Sequence, residues 1–311
     1  MKTDAVMQEL LESIGMHKGH LTGEDVARIT VHENKVIGAH LVPGLEADVE
    51  ELSDGIEAHI RLREGVRLAK PIQLCFGMLP ERGLQRIVLD VVIEQKAQTS
   101  IMAHCTFPNA VAIEHRMDAR LEIGPGADYA YFERHVHGSG GGVVVAPKAQ
   151  VILHEGARFK TEFELIRGRV GKIDIDYDAV AHANSVLEMI ARISGSGDDR
   201  INIRESARLV GESARAVLKS HIALRDNAQA EIYNMLSAEA PFARGHVDCK
   251  EIVQGKAIAK AVPIVQVSHP TAHVTHEAAI GSVDSKQLQT LLARGLTEDE
   301  ATELIIEGLL N

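Results

Sequence analysis

Apolar positions change their period twice along this chain. Residues 3–14 place Val6, Leu10, Leu11 and Ile14 on one helical face, and Gly15 supplies a stop. The T-G-E-D run beginning two residues after His20 puts Asp25 third after a candidate cap and predicts a second short helix. From Val31 the period drops to two, as in Ile60-Arg61-Leu62-Arg63 and in Ile87 to Ile93, which predicts strands. Gly44–Glu57 is acidic and turn-rich and reads as a loop or short helix at the edge of the core. From Ser282 the helical period returns. Asp284 or Ser285 caps a helix striped with Leu288, Leu291 and Leu292, and Gly295 ends it. Thr297 to Glu300 is then a capping box for a second helix striped with Ala301, Leu304, Ile305 and Leu309.

Between Ile87 and Val274 one theme recurs: a small or polar residue, an alanine close behind it, then an alternating run. It is found at Gly126-Ala127, Lys148-Ala149, Gly156-Ala157, Ser206-Ala207, Asn227-Ala228 and Lys256-Ala257. Alanines 183, 207 and 228 suggest a period in the low twenties. Short strands with no helices between them point to a solenoid, a parallel β-helix whose coils stack like residues in ladders. A β-sandwich alternates in the same way, but its Asn-Gly hairpin signals are absent. The expected organisation is an N-terminal helical segment over 1–30, a β-helix core over 31–281 and a helical hairpin over 282–311.

Composition narrows the function. Only 3% of residues are aromatic and Trp is absent, so Val, Ile, Leu and Ala must build the core, which suits regular layers. The net charge of −11 offers no cationic footprint for nucleic acid or for an anionic membrane surface. A helix-turn-helix reading of the C-terminal hairpin fails for the same reason, because Glu298, Asp299, Glu300, Glu303 and Glu307 would repel phosphate. Three widely spaced cysteines form no disulfide framework, and the N-terminus lacks the apolar region of a secretory signal. The expected location is the cytoplasm. Gly138 to Gly142 lacks the Lys-Ser/Thr of a phosphate cradle and reads as a turn.

Chemistry concentrates between Arg244 and Val283, where Cys249 is followed by His269, His273, His276 and Glu277 and preceded by His246. Thiolate, imidazole and carboxylate bind iron or zinc, but the spacing is not that of a zinc knuckle. Cys249 and His276 stand 27 positions apart, near one solenoid turn plus a short insertion, and period two puts them on the inner face. Glu277 falls on the other face unless a bulge or corner intervenes. A core thiol and a hydrogen-bonded core histidine fit the same spacing. Cys75 and Cys105 read as core, and His135 and His137 as a solvent-facing pair.

Three blocks, GHVDCKEIVQG, AVPIVQVSHPTAHVTHEAAIGSVD and QLQTLLARGLTEDEA, together resemble the SufB/SufD family of iron–sulfur cluster assembly scaffolds. The likeness continues upstream through GGVVVAPKAQVILHEGARFKTEFELIRGRVGKIDIDYD and covers most of residues 57–311. It implies a mainly β fold, a right-handed parallel β-helix with short N-terminal helices and a C-terminal helical hairpin. It implies a SufC-type ABC ATPase as partner, docked on the hairpin through Leu288, Leu291, Leu292, Leu296, Ala301, Leu304 and Ile305. Cys249, His276 and Glu277 match the SufB positions that hold sulfur or a transient iron–sulfur cluster, and the chain itself is expected to be no enzyme. SufD-type chains lack that cysteine; a structural SufD-like subunit that never carries a cluster is the alternative. The short N-terminus is similar to minimal archaeal scaffolds, which implies a homodimer and leaves flavin use open.

Overall fold

The computed structural model describes residues 2–15 and 23–310. Helix α1 (Lys2–Ser13) is followed by hairpins β1 (Arg28–His32) with β2 (Lys35–His40) and β3 (Leu45–Glu51) with β4 (Gly55–Leu62). The solenoid continues through β5 (Ile72–Gly77), β6 (Arg82–Ile93), β7 (Gln98–Phe107), β8 (Ala112–Ile123), β9 (Asp128–His137) and β10 (Val143–Leu153). Then come β11 (Arg158–Arg167), β12 (Gly171–Ala181), β13 (Val186–Gly195), β14 (Arg200–Leu209), β15 (Arg215–Leu224) and β16 (Gln229–Ala238). It closes with β17 (Arg244–Val253), β18 (Ile258–Val267) and β19 (His273–Gly281), before α2 (Ser285–Leu292) and α3 (Glu298–Leu310). From β5 onward, odd-numbered strands stack in parallel in one sheet and even-numbered strands in the other, giving a parallel β-solenoid of about 8 turns. The two sheets face each other across one continuous apolar core of Val, Ile, Leu and Ala.

The coil is longer than the alanine spacing suggested. Aligned partners lie from 28 positions apart, as Lys172 and Arg200, to 31, as Gly55 and Arg86. Each coil has two corners, and alanines occur at one throughout apart from Ser185, at the other in places, as Ala228 and Ala257, and within strands as at Ala207, so counting alanines mixes the three. At the corner before each odd-numbered strand from β7 to β17 the ladder is Ala97, Ala127, Ala157, Ser185, Ala214 and Ala243, all buried. The residue before each of them (Lys96, Gly126, Gly156, Asn184, Ser213, Phe242) has φ between +56° and +68°. Each small residue closes its turn with an amide hydrogen bond to the carbonyl three residues back, as Ala127 does to Gly124 at 3.0 Å.

Two local expectations change. Thr22 lies outside the described residues, and residues 24–25 form a turn rather than the start of a helix. Gly44–Glu57 forms β3 and its antiparallel hairpin with β4, because Leu45, Ala47 and Val49 supply an alternating apolar side. Within the Gly-rich turn, a Cβ on Gly142 (φ +82°) would sit 2.4 Å from the Val111 carbonyl oxygen, so stacking of turns accounts for this glycine.

The helices lie against the sides of the solenoid. Leu10 and Leu11 of α1 are buried, with Leu10 over Gly77, and the Ser13 hydroxyl meets Thr106 at 2.7 Å. Helix α3 buries Ala301, Thr302, Ile306 and Leu310, the last two against Ala223 on the outer face of β15. Burial of Ile306 contributes about 1.5–3 kcal/mol. The buried face is thus rotated from the expected stripe, and Leu304 is exposed. The capping box forms: Thr297 N–H donates to Glu300 Oε2 (2.8 Å), and Glu300 N–H to Thr297 Oγ1 (3.3 Å).

The two ends differ. The first coil is turned over by antiparallel hairpins, whereas β18 and β19 end the stack with their inner face uncovered. Val265, Val267 and Ile280 are 37, 48 and 47% exposed, where equivalent positions of earlier coils are buried.

Candidate functional site

Cys249 lies on the inner face of β17, fully buried, in register between Ser220 on β15 and Ala278 on β19. Asn234, reaching across from β16, donates from Nδ2 to Ser220 Oγ at 2.9 Å and approaches Cys249 Sγ at 3.5 Å. Two residues along the same face is Glu251, buried, with neither carboxylate oxygen hydrogen-bonded. Glu205, in register with Asn234, is buried as well. Burial and then the Glu251 charge push the Cys249 thiol up to about 12. Burial, then Asp248, raises Glu251 to about 7, and burial alone raises Glu205 to about 8. Cys249 and Glu205 therefore keep their protons at neutral pH, while Glu251 stands near its midpoint and gives its proton up readily when a cation enters.

Strand β19 supplies the other expected residues, with no bulge in its register against β17. His276 aligns with Val247, so it shares the inner face with Cys249. One strand across and two residues along, the two Cα atoms are roughly 8 Å apart, a span that one small cluster covers. Glu277 aligns with Asp248 and points to the outer face, mid-strand rather than at a corner. There it lies 3.8 Å from Lys250 Nζ, which also sits 3.3 Å from Asp248 Oδ1. Burial opposes ionisation of Asp248, but hydrogen bonds from His221 and Lys250 outweigh it and hold its carboxyl below the usual range. His221 Nδ1 in turn meets the Leu309 carbonyl at 3.0 Å, tying α3 to this network. His246 is on the outer face with Thr275 (2.8 Å), and His269 is in the turn before β19 with Thr271 (3.1 Å). Of the expected cluster, then, Cys249 and His276 share a face, and Glu277 occupies the other.

Sequence reasoning missed Glu251, Glu205 and Asn234. Their signal was the phase of alternation: Val247, Cys249 and Glu251 are in step, as are Ile203 with Glu205 and Ile232 with Asn234. His135 and His137, expected at the surface, are buried on the inner face of β9, in phase with Tyr129 and Tyr131.

A family model described as "SUF system FeS cluster assembly, SufBD core domain" matches residues 81–309. The chain belongs to the SufBD family. It is 37% identical over 283 residues to an iron–sulfur cluster assembly SufBD family protein of Methanocaldococcus jannaschii, covering 91% of this chain and 90% of that one. It is 36% identical over 290 residues to a second, from Pyrococcus horikoshii, covering 93% and 88%. Iron–sulfur cluster assembly protein SufB of Bacillus subtilis matches over 73 residues at 30% identity, 23% of this chain and 16% of that one. A polysaccharide lyase-like protein from C. thermocellum covers 83% of this SufBD chain and 100% of its own at 10% identity and a TM-score of 0.23, too low to bear on fold or function. No helix among the described residues is long and apolar enough to cross a membrane.

Proposed function

We propose that this SufBD protein is a non-catalytic scaffold on which iron and sulfide are built into a transient cluster, with Cys249 as thiolate ligand or persulfide carrier and His276 as a second ligand. The observation that carries the reading is the inner face at the open end of the solenoid. A thiol, an imidazole one rung on, and a buried carboxyl without partners, Glu251, share it. Iron entering there displaces the thiol proton, as metal coordination does for cysteine, and meets a soft donor set suited to a cluster. The carboxylate of the site is Glu251, on the shared face, or Glu277, on the other; the unpartnered oxygens favour Glu251.

Two partners complete the reading. A SufC-type ABC ATPase docks on α2–α3, where Leu292 and Leu304 face solvent and α2 buries no residue. A second copy of the chain covers the open end, since β19 leaves an unpaired edge and Val265, Val267 and Ile280 uncovered beside the site. Hydrolysis in the ATPase would move the two scaffolds and open or close the site; nothing in the proposal requires flavin.

The test is anaerobic reconstitution with iron and sulfide. Wild type is expected to develop sulfide-to-iron charge-transfer absorbance, and Cys249→Ala to develop much less. Equal absorbance in the two proteins removes Cys249 from the mechanism. An ATPase complex that assembles normally while wild-type protein binds no iron would favour the structural SufD-like role.

A further inference from the structure

Cys105 on β7, His115 on β8 and Glu133 on β9 converge inside the solenoid, far along the stack from Cys249 on β17. One ligand atom from each lies within 4.8 Å of the other two. All three are buried, at 1, 2 and 2% exposure. We propose that these three residues form a second metal site, binding one divalent ion of borderline softness, Zn²⁺ or Fe²⁺. This inference does not rest on the cluster chemistry proposed at Cys249.

The first argument is the donor set. Thiolate, imidazole and carboxylate together select zinc or ferrous iron over the hard ions Mg²⁺ and Ca²⁺. The second is charge. A divalent ion with one thiolate, one carboxylate and a neutral imidazole is a neutral unit, and neutrality is what a site sealed from water requires. Binding is balanced by loss of the Cys105 thiol proton and of one proton from the Glu133–His135–His137 chain, whose rings then take the other tautomer, so that His135 Nε2–H donates to the Glu133 carboxylate and the 3.3 Å bond to the Arg169 carbonyl is given up.

The third is orientation by neighbours. Gln85 Nε2 donates to the Glu33 carbonyl (2.6 Å), so its Oε1 accepts from His115 Nδ1 (3.0 Å). That bond leaves the His115 Nε2 lone pair free for a ligand. On the other side His137 Nδ1 donates to the Arg169 carbonyl (3.3 Å), so its Nε2 accepts from His135 Nδ1 (3.2 Å). His135 Nε2 then meets Glu133 Oε1 at 2.7 Å, with one proton between them. This chain fixes the Glu133 carboxyl by one oxygen. Its other oxygen, Oε2, is buried with no hydrogen-bond partner, an omission that a bound cation would explain.

The test uses full-length Cys249→Ser protein, which removes the thiol of the proposed cluster site, produced in cobalt-supplemented medium so that a buried site fills during folding. After chelator treatment about one ion per chain is expected to remain, with a thiolate-to-cobalt charge-transfer band and the intense ligand-field bands of a low-coordinate ion. Adding Cys105→Ser should abolish the charge-transfer band, and Glu133→Gln or Gln85→Ala should speed ion loss about tenfold or more. Thermal melts confirm folding, and if Cys105→Ser does not fold, the Gln85→Ala and Glu133→Gln proteins decide. Folded Cys249→Ser protein without the band, a band that persists in folded Cys105→Ser, or ion loss unchanged in Gln85→Ala and Glu133→Gln overturns the site. Metal analysis of protein purified anaerobically from unsupplemented cells distinguishes zinc from iron. Failure here leaves reconstitution at Cys249 untouched, and failure there leaves this band untouched.

Discussion

At the scale of single residues, the carboxylates around Cys249 decide what the site can hold. Glu251 is buried beside the thiol with both oxygens unsatisfied, whereas Glu277 is exposed on the far side of the sheet beside Lys250. Replacing Glu251 with Gln should therefore shorten cluster retention on the reconstituted scaffold about tenfold, the order seen when a metal's supporting ligand is lost. Glu277→Gln should shorten it less; the reverse order, read from decay of the absorbance, would put the working carboxylate on the outer face. The pairing of Cys249 with His276 on one face was legible in the sequence because each keeps step with its alternating apolar neighbours, although the alanine spacing suggests too short a coil. The inner-face carboxyls and histidines were not, since polarity was taken as a sign of exposure. In β9 the apolar phase set by Tyr129 and Tyr131 runs on through Glu133, His135 and His137 without changing side. In a solenoid the inner face stays inner along the whole strand, whatever residues occupy it.

At the scale of elements, the helical hairpin separates two kinds of leucine and isoleucine. Ile306 and Leu310 are buried on Ala223, while Leu292 and Leu304 are 39 and 48% exposed. Leu292→Asp and Leu304→Asp should abolish pull-down of the ATPase and leave the melting temperature of the isolated scaffold within a few degrees. Ile306→Ala should instead destabilise by about 2–4 kcal/mol in denaturant titration. Retained pull-down with both aspartates would mean that the hairpin only covers the sheet. The capping box and the existence of both helices were legible at Thr297 and Asp284, because a cap is a local, two-residue bargain between side chain and amide. The rotation of α3 was not legible, because the face a helix buries is set by the surface it meets, here Ala223 of β15, which seats Ile306 and Leu310 and turns Leu304 outward. The coil length was likewise obscured locally: alanines, with Ser185 in one coil, recur at one corner from Ala97 on, but also at some opposite corners, as Ala228, and within strands, as Ala207.

At the scale of the whole molecule, the solenoid confines titratable groups to its interior, and this shapes its stability against pH. Burial first, with Asp248 beside Glu251, raises Glu205 to about 8 and Glu251 to about 7. Burial first, with His115 and then Tyr131 opposing, brings Glu133 to about 7. Each of these acids keeps its proton in the folded state where the unfolded chain, near 4.3, has lost it. Folding then binds protons, so stability falls as pH rises from about 4.5 through 7 to 8, by about 1.4 kcal/mol per pH unit for each group inside its window. Burial depresses His115, His135 and His137 to about 3. Those rings stay neutral when folded, so their contribution is lost as pH falls from about 6.5 toward 3. Between about 4.5 and 6.5 the three acids and the depressed imidazoles, His104 at about 4 among them, largely oppose one another, so the decline comes mainly above about 6.5 and below about 4.5. Metal-free protein unfolded by denaturant at pH 5.5, 7 and 8.5 should lose stability across that series, and Glu205→Gln should lose less than wild type because its amide has no proton to give up. A wild-type stability that rises between pH 5.5 and 8.5 would mean that these carboxyls ionise freely, through water reaching the interior by the uncovered last coil.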